Sequence, residues 1–90
     1  MAKTIFTEDH RLFVAALRDV RRRKNVTQEM LSQILGRDQS YISNIERGQR
    51  RLDVIEFADI AKALGEKPEG LYSKIMASIQ NDSKPLEIDE

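Results

Sequence analysis

The chain has 90 residues, 40% hydrophobic and 33% charged, which suits one domain around a single core and argues against a deep cleft between two lobes. The lack of cysteine and the single histidine exclude disulfides and a Cys/His zinc site, no apolar run nears the ~18 residues of a membrane span, and Lys3, Glu8, Asp9 and Arg11 interrupt any signal-like stretch. Net charge is zero, yet 11 basic residues stand against six acidic ones through Leu52 and four lysines against nine acids from Asp53 onward, so the chain is a basic half joined to an acidic half.

Such a division points to a polyanionic partner, with scattered solvated charge as the duller alternative. Helical periodicity dominates the chain, and strand patterns are nearly absent. Over 9–24, Leu12, Phe13, Ala16, Leu17 and Val20 recur at three- and four-residue steps and make one apolar stripe. Thr7 is placed to cap this helix, Glu8 and Asp9 lie at the positive end of its dipole, and Asn25 ahead of Val26 should end it. A second helix is predicted over 28–35, capped by Thr27, with Val26 placed to staple against Leu31. Gly36 should stop it by taking the left-handed conformation, and Asp38 is placed to cap a third helix over 39–46. Three residues between two helices forbid a long antiparallel overlap and favour a helix-turn-helix, with axes crossing at roughly 90–120°.

Gly48 closes the third helix. Asp53 and Glu56 then form a capping box, with Leu52 stapled onto Phe57, at the start of a fourth helix over 54–64. Its apolar side is expected at Ile55, Ala58, Ile60, Ala61 and Leu64, with Gly65 just past its end. Pro68 suits the first turn of a fifth helix over 69–80 that carries Leu71, Tyr72, Ile75, Met76 and Ile79. The fold class is therefore all-α, with five helices. Residues 1–80 are expected to form the domain and 81–90 an acidic, flexible tail.

The stretch QEMLSQILGRDQSYISNIER, residues 28–47, has the pattern of a DNA-reading helix pair. Leu31, Ile34, Leu35, Ile42 and Ile45 should face inward, and Ser32 is small enough to let the two helices approach closely. The opposite side of the third helix holds Gln39, Ser40, Ser43 and Asn44. Such amides and hydroxyls hydrogen-bond base edges, and a bidentate Gln or Asn on adenine discriminates by roughly 1–3 kcal/mol. An ordinary hydrated helix face is the alternative. Arg22, Arg23 and Lys24 either contact phosphate or simply suit the negative end of the first helix, and His10 reads as solvated.

With these residues in view, the chain from about Arg11 to Ile79 resembles the five-helix, lambda-repressor-like DNA-binding domain of Cro/C1-type (XRE-type) transcriptional regulators. The resemblance is carried by Leu17 and Arg21, Thr27-Gln28 with Leu31, Gly36, Gln39-Ser40-Tyr41-Ile42-Ser43, Ile45-Glu46-Arg47-Gly48 and Ala63-Leu64-Gly65. It implies that Gln39, Ser40 and Asn44 meet base edges with help from Ser43. By the same resemblance Gln28 reaches a phosphate while supporting the recognition helix, and Arg37, Tyr41, Arg47 and Arg50 contact phosphates. Glu46 is expected to pair, partly buried, with Arg21. Two departures stand out: Ser32 where alanine is usual, and Asp38, whose charge beside the DNA-facing turn needs to be held by capping or by Arg37.

No nucleophile motif, Gly-rich phosphate loop or credible histidine base is present, and Glu87 and Asp89 fall in the tail, where nothing rigid would hold them. Neither catalysis, cofactor nor metal is expected. The sequence is that expected of a transcriptional regulator, a repressor or an activator, binding double-stranded DNA at a palindromic operator as a homodimer with recognition helices about 34–36 Å apart. Its dimer interface is expected at Leu71, Tyr72, Ile75, Met76 and Ile79, which exceed what one helix edge can bury against so small a core, with internal packing as the alternative. Two further alternatives remain open: a DNA-binding antitoxin whose acidic C-terminal half meets a protein partner, and an adaptor of the same fold that reads no DNA. The expected location is the cytoplasm, at the nucleoid, with no membrane association.

Overall fold

Helix boundaries in this chain are set by local hydrogen bonds, and the computed structural model, which describes residues 7–80, shows how. The elements are α1 (Glu8–Arg23), α2 (Gln28–Leu35), α3 (Gln39–Glu46), α4 (Val54–Ala63) and α5 (Pro68–Gln80), with no strand among the described residues. Lys3 and the tail assigned to 81–90, with Glu87 and Asp89, lie outside the described residues.

Thr7 Oγ1 accepts the amide of His10 at 3.1 Å, and Thr27 Oγ1 accepts that of Met30 at 3.0 Å. Asp53 accepts from the Glu56 amide at 2.7 Å while Glu56 Oε1 accepts from the Asp53 amide at 3.1 Å, a reciprocal pair that satisfies two orphan donors. Asp38 breaks the pattern. It occupies the cap position of α3, but its exposed carboxylate makes no capping bond, so the expectation that the cap occupies its charge is corrected.

The first four helices share one ending. Residues Asn25, Gly36, Gly48 and Gly65 have φ of 60°, 69°, 77° and 79°. In each case two successive amides turn back onto carbonyls of the last turn, as in Arg37 to Ser32 at 2.9 Å and Gly36 to Gln33 at 3.1 Å. Among the described residues Asn25 is the one non-glycine residue in this conformation, which its short polar side chain tolerates, and this is the physical reason α1 stops there.

The core is built from Val14 and Leu17 of α1, Leu31 of α2, Ile42 and Ile45 of α3, Phe57, Ile60 and Ala61 of α4 with the adjoining Leu64, and Leu71, Ile75 and Ile79 of α5. Ser32 of α2 is buried with them, only 2% exposed. Several expected orientations are corrected. Ile34 is 60% exposed because Leu31 and Leu35 already occupy the inward edge of the short α2. Ile55 is 67% exposed because α4 turns Phe57, Ile60, Ala61 and Leu64 inward, and a residue two before Phe57 lies on the opposite side. On α5, Leu71, Ile75 and Ile79 are core residues of this protomer. Of the five residues assigned to a dimer interface, only Tyr72, 50% exposed, and the partly buried Met76 remain near the surface. His10 is also more than a solvated group: its Nε2 accepts the Leu52 amide at 3.2 Å, tying α1 to the loop before α4.

Candidate nucleic-acid interface

Helix α3 has only eight residues, too few to be stable alone, so tertiary anchors must hold it. Ile42 and Ile45 are each 1% exposed and fasten one edge to the core. Gln39 and Ser40 stand exposed on the other edge, with Ser43 and Asn44 partly covered beside them.

A buried charge network fixes the end of the helix. Arg21 Nε donates to Glu46 Oε2 at 2.7 Å and a terminal nitrogen to Oε1 at 3.0 Å, both side chains being 8% exposed. The other terminal nitrogen of Arg21 donates to the Val26 carbonyl at 2.6 Å. Gln28 Nε2 donates to Glu46 Oε1 at 2.8 Å, so α1, α2 and α3 meet at one carboxylate. One amide hydrogen of Gln28 is thereby engaged, leaving the second.

Of the residues assigned to phosphate, Gln28 starts α2, Tyr41 lies on α3 itself, Arg37 precedes that helix, and Arg47 and Arg50 follow it. The Arg37 guanidinium lies over the Tyr41 ring at 4.1 Å and that of Arg50 at 4.9 Å, two cation–π contacts that stack the three side chains. Arg50 also pairs with Glu56 at 2.7 Å, and the charge of that carboxylate acts on the Tyr41 phenol as well. Burial, followed by the Glu56 charge, pushes the Tyr41 phenol above its ordinary pKa of 10.0, so it remains a hydrogen-bond donor. The Arg50 hydrogen bond holds the Glu56 carboxyl below its ordinary 4.5. Arg47 donates to Asn44 Oδ1 at 2.7 Å across one helical turn.

The sequence indicated Glu56 only as half of a capping box, and its bond to Arg50 spans a loop that no periodic rule describes. Arg18 was missed altogether. Together with Arg11, Arg47 and Glu46 it lines a cleft of about 180 Å³ between α1 and the end of α3. Arg18 follows Arg11 by seven residues, two helical turns along one face of α1, a spacing that could have pointed to it. Arg23 and Lys24 lie elsewhere: with Lys74 they rim a groove of about 420 Å³ against α5, and Lys24 pairs with Glu66 at 2.9 Å.

Away from α3, Phe13, Phe57 and Tyr72 form an aromatic cluster with ring centroids 5.2 to 6.2 Å apart. It floors a groove of about 350 Å³ that includes Val54 and Met76. Among the described residues no group of three or more metal-ligating side chains converges, and no helix is long and apolar enough to cross a membrane.

Residues 17–71 match the helix-turn-helix family. Over 46 residues the chain is 44% identical to the HTH-type transcriptional regulator y4dJ of Sinorhizobium fredii, a match covering 51% of this chain and 60%, less than two thirds, of that protein. Among solved structures, an XRE-family like protein from Pseudomonas syringae pv. tomato superposes with a TM-score of 0.72 at 38% identity, covering 78% of this chain and 85% of that one. The restriction-modification controller protein C.AhdI from Aeromonas hydrophila superposes with a TM-score of 0.65 at 35% identity, covering 72% of this chain and 98% of that one.

Proposed function

Since the chain belongs to the XRE-type helix-turn-helix family of DNA-binding transcriptional regulators, we propose that it binds a palindromic operator as a homodimer, each protomer laying α3 in the major groove. The observation that carries this reading is the two-sided character of α3. Its isoleucine edge and Glu46 are locked into the core, while Gln39, Ser40, Ser43 and Asn44 stand opposite, flanked by Arg37, Tyr41, Arg47 and Arg50.

In this reading Gln39, Ser40 and Asn44, assisted by Ser43, choose the sequence. Arg37, Tyr41, Arg47, Arg50 and the second amide hydrogen of Gln28 hold phosphates and set the register without reading bases. The dimer contact uses the aromatic groove, with Tyr72, Met76 and Val54 in place of the buried part of the α5 stripe. The likeness to a restriction-modification controller supports a regulatory role exercised through operator occupancy.

Selection of bound duplexes from a random library tests the whole reading. The expected product is an inverted repeat whose half-sites lie about one helical turn apart. Gln39→Ala and Asn44→Ala should relax single positions, whereas Arg37→Ala should weaken all sequences alike and reduce the salt slope by about 1. Equal recovery of every duplex, or none at low salt, would return the chain to the adaptor reading.

A further inference from the structure

We propose that Arg47 decides which base Asn44 reads and makes that position of α3 a guanine reader; this rests on the DNA-binding function proposed above. An unconstrained asparagine amide offers one acceptor and two donors, and it pairs bidentately with adenine by accepting from N6 and donating to N7. Here one lone pair of the acceptor is already engaged, because Arg47 donates to Asn44 Oδ1 at 2.7 Å. Turning the amide over would set its NH₂ against a guanidinium donor, so the orientation is fixed by the partner's chemistry.

Oδ1 keeps a second lone pair, but the guanidinium draws on that oxygen and sets positive charge beside it, so the group left best able to meet a base is the NH₂. Guanine matches it, since N7 and O6 are adjacent acceptors with no donor between them. Adenine offers N7 but sets its own N6 donors against the second hydrogen, thymine offers O4 only, and cytosine offers no acceptor. Arg47 is exposed and follows α3 directly, and a guanidinium carries five donors, so it can hold Asn44 and a phosphate together. Arg47 is thus a positioning residue for specificity, and its role reaches beyond the uniform phosphate contact its charge suggests.

The test is library selection at low salt with wild type, Asn44→Ala and Arg47→Ala, each verified as folded by circular dichroism. Asn44→Ala identifies the symmetric pair of positions that this residue reads. Wild type should carry guanine there, and Arg47→Ala should lower the guanine-to-adenine ratio by about tenfold, because the freed carbonyl can accept from N6. Adenine at that pair in wild type overturns the proposal, as does an Arg47→Ala protein that binds more weakly but keeps the same base preference. Absence of any enriched sequence with wild type would instead defeat the DNA-binding function itself.

Discussion

Glu46→Ala removes the carboxylate on which three helices converge. Arg21, 7% exposed, would lose two charge-assisted hydrogen bonds of 2.7 and 3.0 Å and keep only the Val26 carbonyl, while Gln28 would lose its bond of 2.8 Å. Breaking a buried pair by deleting one partner costs about 3–5 kcal/mol, because an uncompensated charge stays in the interior. A domain of this size has about 5–15 kcal/mol in all and loses about 4–8 °C of melting temperature per kcal/mol. The expected drop is therefore at least about 12 °C, followed by circular dichroism at 222 nm, a wavelength that reports helix. The double variant Arg21→Met/Glu46→Leu should recover most of that loss, since well-packed apolar pairs often match a buried ion pair. A single-variant shift below about 4 °C would falsify the claim that the network carries stability, for it would mean that Arg21 finds solvent or another partner at little cost.

Protonation of His10 removes the acceptor for the Leu52 amide, and burial followed by the Arg51 charge lowers its folded pKa below 6.5. The neutral form therefore stabilises the fold fully above pH 6.5, and the contribution is lost as pH falls from there toward the folded value; His10→Gln should flatten the melting temperature across that window. Asp53→Ala should cost about 1 kcal/mol by opening the capping box of α4, whereas Asp38→Ala, which removes no capping bond, should leave the melting temperature unchanged. An equal loss at both positions in chemical denaturation would contradict the assigned caps. Tyr72→Lys places a charge in the aromatic groove at a half-exposed site, so sedimentation should show monomers of unchanged fold with weakened operator binding; an unaltered dimer would remove this groove as the interface.

The helices were legible because their signals are local. Thr7, Thr27 and Asp53 act within three residues of themselves, and Gly36, Gly48 and Gly65 act on the preceding turn. Orientation was less legible. In an eight-residue helix Leu31, Ile34 and Leu35 fit one stripe equally well, and only the position of α3 decides that Ile34 faces solvent. Ile55 yields to Phe57 for the same reason, and the α5 stripe divides into a buried edge and a surface edge only once α1 and α4 are in place. The candidate site shows the same limit. Its outward amides could be read from spacing, while the hold of Glu56 on Arg50 depends on the path of a loop.

In the proposed function, specificity comes down to how well a short helix is held. At eight residues and without a side-chain cap on its first turn, α3 cannot keep its shape by backbone bonds alone. Its position is set instead by Ile42 and Ile45 along one edge, by Glu46 at its end and by the Arg37–Tyr41–Arg50 stack beside it. Every one of these contacts is made before DNA arrives. The ordering cost of recognition then falls on a few exposed side chains and not on the backbone, and the helix can present its amide edge to a base with little rearrangement. For the same reason a substitution at Glu46, which touches no base in this scheme, should reduce discrimination at Gln39 and Asn44 together, whereas a substitution at either amide should alter only its own position.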